Sequence, residues 1–203
     1  MAEHTLRLYK SRRNSARLVQ TDGGRFVVKT FQDEERFQKE LDIYSLLQTR
    51  KLPCAKVIET RKNTLILSEL PGLTLVDCLQ QQELAGRPHW DVWEKLVDWL
   101  CAFTRCTGLI MTDVNLRNFL YDERAKTLYG LDFEECTEGN MEIPAATVAA
   151  YIRTYKPEYT PLKQEISQYI LARFARSCKL EEDMLLQKTW QQEQFLLKRR
   201  NKK

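Results

Sequence analysis

Glycine and histidine are scarce in this chain, seven and two among 203 residues. His4 and His89 sit in no motif, so Ser-His-Asp hydrolysis, Cys-His hydrolysis and the HExxH zinc sites are excluded as serious candidates. The six cysteines, at 54, 78, 101, 106, 136 and 178, form no C-x-x-C pair and fall mostly within apolar segments. They read as reduced packing thiols rather than zinc ligands or disulfides. No apolar run approaches the roughly 18 residues of a membrane span, and the start MAEHTLRLYK lacks a signal-peptide core, so a cytoplasmic protein with no membrane association is expected. Carboxylate, lysine and metal chemistry remain.

The hydrophobic share of 43% over this length is enough for a substantial core, in one domain or two small lobes. Charge is unevenly placed. Lys198, Arg199, Arg200, Lys202 and Lys203 exceed the whole formal net charge of +4, leaving the rest of the chain at about −1. Such a basic end suits either contact with an RNA phosphate backbone or a solvated helix terminus whose charge complements the helix dipole.

Residues 5–31 alternate as strands do, TLRLY, ARLVQ and RFVVKTF, with Asp22-Gly23-Gly24 as a hairpin turn. Lys10-Ser11-Arg12-Arg13-Asn14-Ser15 joins the first two without a glycine. Alternation puts Val27, Lys29 and Phe31 on one face, so the Lys29 ammonium sits among apolar neighbours and calls for a partner. Residues 33–49 read as an amphipathic helix with an acidic start and a stripe of Phe37, Leu41, Tyr44 and Leu46 or Leu47. Glu40 lies beside that stripe, able to lean toward Lys29 or to pair with Arg36 on the helix surface. Two more strands, AKVIET and NTLILSEL, complete a five-stranded antiparallel sheet, and Ser68-Glu69-Leu70-Pro71-Gly72 breaks the pattern.

Helices are expected over 74–84 and 90–106, the second stopped by Gly108, and three more over 144–156, 161–178 and 181–200. Between them lies MTDVNLRNFLYDERAKTLYGLDFEE, residues 111–135. Here Asp113 and Asn118 bracket a short loop, and strands at 119–121 and 127–131 form a small hairpin that returns Asp132 close to Asn118. An amide oxygen and a carboxylate are hard oxygen ligands of the kind magnesium takes, with water and substrate phosphates completing its shell.

The pattern D-x-x-x-x-N, then a strand pair, then Asp132-Phe133-Glu134 resembles the catalytic set of the protein-kinase-like superfamily. Val27-Val28-Lys29 resembles its lysine strand, Glu40 its helix glutamate and LILSELPGLTL its hinge. The DFE and ELPG elements look like the aminoglycoside and choline phosphotransferases. Small size and the missing A-P-E segment look like the minimal RIO type and the small kinase of the KEOPS complex. The resemblance spans about two-thirds of the chain.

It implies an α+β, two-lobed kinase-like fold, with an N-lobe over 1–70 (sheet plus one helix) and a mainly helical C-lobe over 71–203. It also implies transfer of the γ-phosphate of ATP, with Mg2+, to the hydroxyl of an acceptor that the sequence does not name. Asp113 would accept the hydroxyl proton, Asn118 and Asp132 would hold the metal, and Lys29 with Glu40 would position the phosphates. Arg117 would steady developing charge, while Ser11, Asn14, Ser15, Glu69 and Leu70 would contact the nucleotide. The chain departs from the family in its glycine-free loop and in having Met111-Thr112 where relatives commonly place a histidine. Those departures suit a nucleotide-binding pseudokinase scaffold, and the basic tail suits a third reading, an RNA-associated ATPase.

Overall fold

The computed structural model describes residues 3–9 and 13–201, a mixed α/β chain in which no helix among the described residues is long and apolar enough to cross a membrane. It divides into two compact units, one of Met1–Pro71 with Tyr129–Glu134, the other of Gly72–Leu128 with Glu135–Lys203.

The first unit is built on an antiparallel sheet of β1 (His4–Tyr9), β2 (Ser15–Thr21), β3 (Gly24–Thr30), β4 (Val57–Arg61) and β5 (Thr64–Ser68), in the order β1-β2-β3-β5-β4. β3 is central, and its register sets Lys29 between Ala16 of β2 and Leu65 of β5. Val19, Val28 and Ile66 pack on one face with Phe26 beside them. Alternation sends Lys29 and the fully buried Leu65 to the other face. Between β3 and β4 runs α1 (Glu34–Thr49), capped by Asp33, whose side chain accepts from the Glu35 and Arg36 amides. Its buried stripe is Glu40, Ile43, Tyr44 and Leu47, with Phe37 and Leu41 only half-buried. The helix is thus rotated from the expected stripe, and Glu40 lies in the middle of the buried face instead of at its margin.

The second unit begins at Gly72. Its φ of +107° is open to glycine, and an added Cβ would fall 2.4 Å from the Tyr121 carbonyl oxygen. That approach allows β6 (Leu73–Thr74) to pair with β8 (Phe119–Asp122), and β9 (Thr127–Gly130) follows β8 in the same sheet. Helix α2 (Leu75–Ala85) is capped by Thr74 and ended by Gly86 in the left-handed conformation. The strongly amphipathic α3 (Trp90–Thr107) buries eight side chains, among them Trp93, Leu96 and Phe103, and stops at Gly108. Gln82 is buried because its Oε1 accepts from both Trp93 Nε1 and the His89 amide, 2.9 Å each.

Two short strands, β7 (Ile110–Met111) and β10 (Cys136–Thr137), pair antiparallel. Helices α4 (Glu142–Thr154), α5 (Pro161–Cys178) and α6 (Glu182–Asn201) close the unit. α4 is almost wholly buried, and Arg153 at its end bonds Ser167 of α5 at 2.6 Å and Glu193 of α6 at 3.2 Å. α5 is tied to α3 by Arg173 on Asp98 and by Tyr169 on Glu94. There Cys101 Sγ lies 3.0 Å from Cys178 Sγ, closer than packing alone requires.

Candidate active site

In the first unit the chemistry gathers on Lys29. Its Nζ donates to Glu40 Oε2 and to Asp132 Oδ1, each at 2.7 Å. β3 supplies the lysine, the buried stripe of α1 the glutamate, and the segment Tyr129–Glu134 the aspartate. That segment is fixed by a parallel bridge between Gly130 and Cys54 and by Phe133, which meets Tyr44 edge-on at 4.9 Å. Asp132 has a φ of +63°, a conformation Asp tolerates better than most residues, and between two anchored neighbours it aims its carboxylate at Lys29.

Glu134 completes the group. Asn14 Nδ2 donates to its Oε2 at 2.6 Å, and Arg36 Nη1 lies 3.6 Å from its Oε1. Glu40, Asp132 and Glu134 each offer an oxygen within 4.8 Å of the others, a compact set of hard ligands. Burial pulls the Lys29 ammonium down, but Glu40 and Asp132 outweigh it and hold its pKa above the ordinary value. Burial pushes the Glu40 carboxyl up to about 7 against the pull of Lys29, and Asp132 and Glu134 push the same way. Glu40 is fully buried and its Oε1 has no hydrogen-bond partner among the described residues.

In the second unit the loop from Asp113 to Asn118 is held by its own backbone and by neighbours. Asn118 Nδ2 donates to the Asp113 carbonyl at 3.0 Å, which turns the amide oxygen of Asn118 the other way. Asn115 caps the 3-10 turn Leu116–Asn118, its Oδ1 accepting from the Arg117 amide at 3.0 Å and from the Tyr155 hydroxyl at 2.8 Å. Burial pushes the Tyr155 phenol up to about 12, so it remains a donor. Thr112, directly before Asp113, donates its hydroxyl to the Glu135 carbonyl at 2.5 Å, beside the pairing of Met111 with Cys136. A hydroxyl and a two-residue ladder thus anchor the loop base without an imidazole.

Lys29, Glu40 and Asp132 come together in one unit, and Asp113, Arg117 and Asn118 share a loop in the other. Asn14 reaches Glu134, Ser15 opens β2 with an exposed side chain, and Ser11 lies outside the described residues. Glu69 is exposed with Arg25 at 3.9 Å, and Leu70 is half-buried before the boundary at Pro71. Sequence reasoning missed Glu134 as a member of the cluster, although it stands two residues after Asp132. It also missed Tyr155, which no local pattern ties to Asn115 forty residues earlier. No protein-family model matches this chain, and no curated protein is similar to it.

Proposed function

We propose that this protein is an ATP-dependent phosphotransferase of kinase-like mechanism. The observation that carries the reading is the Lys29 ammonium shared between Glu40 and Asp132, each at 2.7 Å. A lysine held by a helix carboxylate is preset to hold phosphate oxygens, and an aspartate at the same point is preset to share a metal with them. The residues fit Mg2+: its preference for oxygen ligands matches the carboxylate set, and the buried Glu40 Oε1 has no hydrogen-bond partner among the described residues. Asp132 would hold the ion, and a bound Mg2+ would neutralise charge on the transferring phosphoryl group.

In the reaction, Asp113 takes the proton of the acceptor hydroxyl as its oxygen bonds to the γ-phosphorus. The bond from γ-phosphorus to the bridging oxygen breaks, and ADP leaves with the electron pair. Arg117, next to Asn118, faces the developing charge. The test is thermal unfolding with ATP and Mg2+, on wild type and Asp132→Asn. A magnesium-dependent stabilisation that the variant loses supports the reading, and no shift with any nucleotide sinks it. The glycine-free turn before Ser15 favours a second reading, a nucleotide-binding scaffold without turnover. ADP formation in the presence of a broad acceptor mixture separates the two.

A further inference from the structure

Glu94, Asp98 and Cys101 share one face of α3, each about a turn from the next. They meet residues of α5 in the same order. Glu94 accepts from the Tyr169 hydroxyl, Asp98 accepts from Arg173 Nη2 at 2.8 and 3.0 Å, and Cys101 Sγ lies 3.0 Å from Cys178 Sγ. That order runs the two helices side by side in one direction, with the cysteines as the third tie. The Trp90 and Tyr169 rings, 4.5 Å between centroids, open the ladder. Cys178 continues the buried stripe of α5, one turn beyond Phe174 and two beyond Leu171. The helix end that carries it is fixed, because Lys179 caps it in the left-handed conformation and the Leu180 amide donates to the Ala175 carbonyl at 3.0 Å. Polar ties on one side and a capped end on the other hold two free thiols against each other.

We propose that Cys101 and Cys178 form a reversible disulfide, made by exchange with an oxidised low-molecular-weight disulfide of the glutathione kind, that staples α3 to α5. Bond formation brings the sulfurs from 3.0 Å to about 2.0 Å, a shift of about 1 Å. Cys178, half-buried at the end of its helix, reacts first. As thiolate it attacks one sulfur of the small disulfide, and the other sulfur leaves as thiolate with the electron pair of the broken bond. Cys101, as thiolate, then attacks Cys178 Sγ, and the second small thiolate leaves. Two electrons pass from the protein sulfurs to the small disulfide, and the two protein protons end on the two small thiols.

The order of reaction follows from the surroundings. Burial pushes the Cys101 thiol up, and the hydrogen bond to Cys178 and the Cys178 charge push the same way. A mixed disulfide at Cys178 removes the last two influences, so Cys101 becomes a better nucleophile once its partner has reacted. The bond closes the chain from 101 to 178 into a loop that contains β7, the Asp113 segment and α4. A loop of that length restricts the unfolded chain and raises resistance to unfolding. The inference stands apart from the phosphotransferase reading.

The test incubates the reduced full-length protein with glutathione disulfide, blocks remaining thiols with an alkylating reagent and maps peptides by mass spectrometry without reduction. One cross-linked pair is expected, Cys101 with Cys178, with the protein mass lower by two hydrogens, two of the six cysteines protected from alkylation, and full reversal by dithiothreitol. Cys178→Ser should abolish the link, Cys101→Ala should leave Cys178 as a mixed disulfide with glutathione, and Cys106→Ser should leave the link intact. Oxidised wild type should unfold at a higher urea concentration than reduced, a shift that Cys178→Ser lacks. Alkylation of all six cysteines, a link through Cys106 or another cysteine instead, a link that forms only in urea, or a link that leaves the urea midpoint unchanged overturns the proposal. If Cys101→Ala does not fold, Cys178→Ser and Cys106→Ser decide the matter, since both positions are only half-buried.

Discussion

Among the described residues, Lys29 and Lys163, one in each unit, are withdrawn from water, and their surroundings differ in kind. The Lys29 side chain is 12% exposed and faces carboxylates on two different segments; that of Lys163 is 1% exposed and faces the backbone. Lys163 Nζ donates to the carbonyls of Tyr155, at 3.2 Å, and Pro157, with Glu83 3.8 Å away. Burial lowers its pKa, and Glu83 does not make up the difference. The ammonium of Lys163 fastens a turn; that of Lys29 joins carboxylates from two segments. Burial alone does not mark a lysine as functional.

The contrast breaks most sharply under Lys163→Met. Two carbonyls and Glu83 lose their donor, and the variant should lose about 3 kcal/mol of stability. Denaturant unfolding measures that, and the stabilisation added by Mg-ATP should survive. Lys29→Met should do the reverse. It should erase the Mg-ATP stabilisation, about 2.7 kcal/mol at a hundredfold excess over Kd. If both variants lose stability and neither changes nucleotide response, the distinction fails.

A smaller effect sharpens it through pH. Glu40 has a folded pKa of about 7 against an ordinary 4.5, so the folded state binds the proton more tightly. Its contribution is therefore fully present below 4.5 and is lost as pH rises through 7. Glu40→Gln should flatten that part of the profile. The smallest effect lies in the alkaline range, where the two lysines should act with opposite sign. Lys29, raised above 10.5, gives stability that is complete below that value and lost as pH climbs through its folded pKa. Lys163, lowered, should add stability as pH approaches 10.5 from below, because there the unfolded chain binds the extra proton. Unfolding of each Lys→Met variant against wild type reads the two slopes.

Strands β2, β3 and β5 were legible because alternation and the Asp22-Gly23 turn leave little choice, and Lys29 was conspicuous as a charge in an apolar alternation. Lys163 was not. Three residues into a helix it follows an ordinary polar pattern, and its burial comes from the path of residues 155–157, which side-chain periodicity does not encode. The rotation of α1 escaped for a related reason: Phe37 and Leu41 look more buried than Glu40 on hydrophobicity, but Lys29 draws the carboxylate inward. Strands β6, β7 and β10 span two residues each, too short for any period to show. α4 begins at Glu142, two residues before Pro144, because proline is tolerated in a first turn where its missing N–H has no partner to lose.

The chain supplies the first unit in two instalments, Met1–Pro71 and then Tyr129–Glu134. Asp132 meets Lys29 across 103 positions of sequence, so a chain growing from its N-terminus can form the Lys29–Glu40 pair long before the aspartate exists. In that interval one ammonium faces one carboxylate. A polypeptide halted before residue 129 would thus own the sheet, the helix and the lysine and still lack two of the three clustered carboxylates, which makes the order of synthesis a timer on when that set is complete.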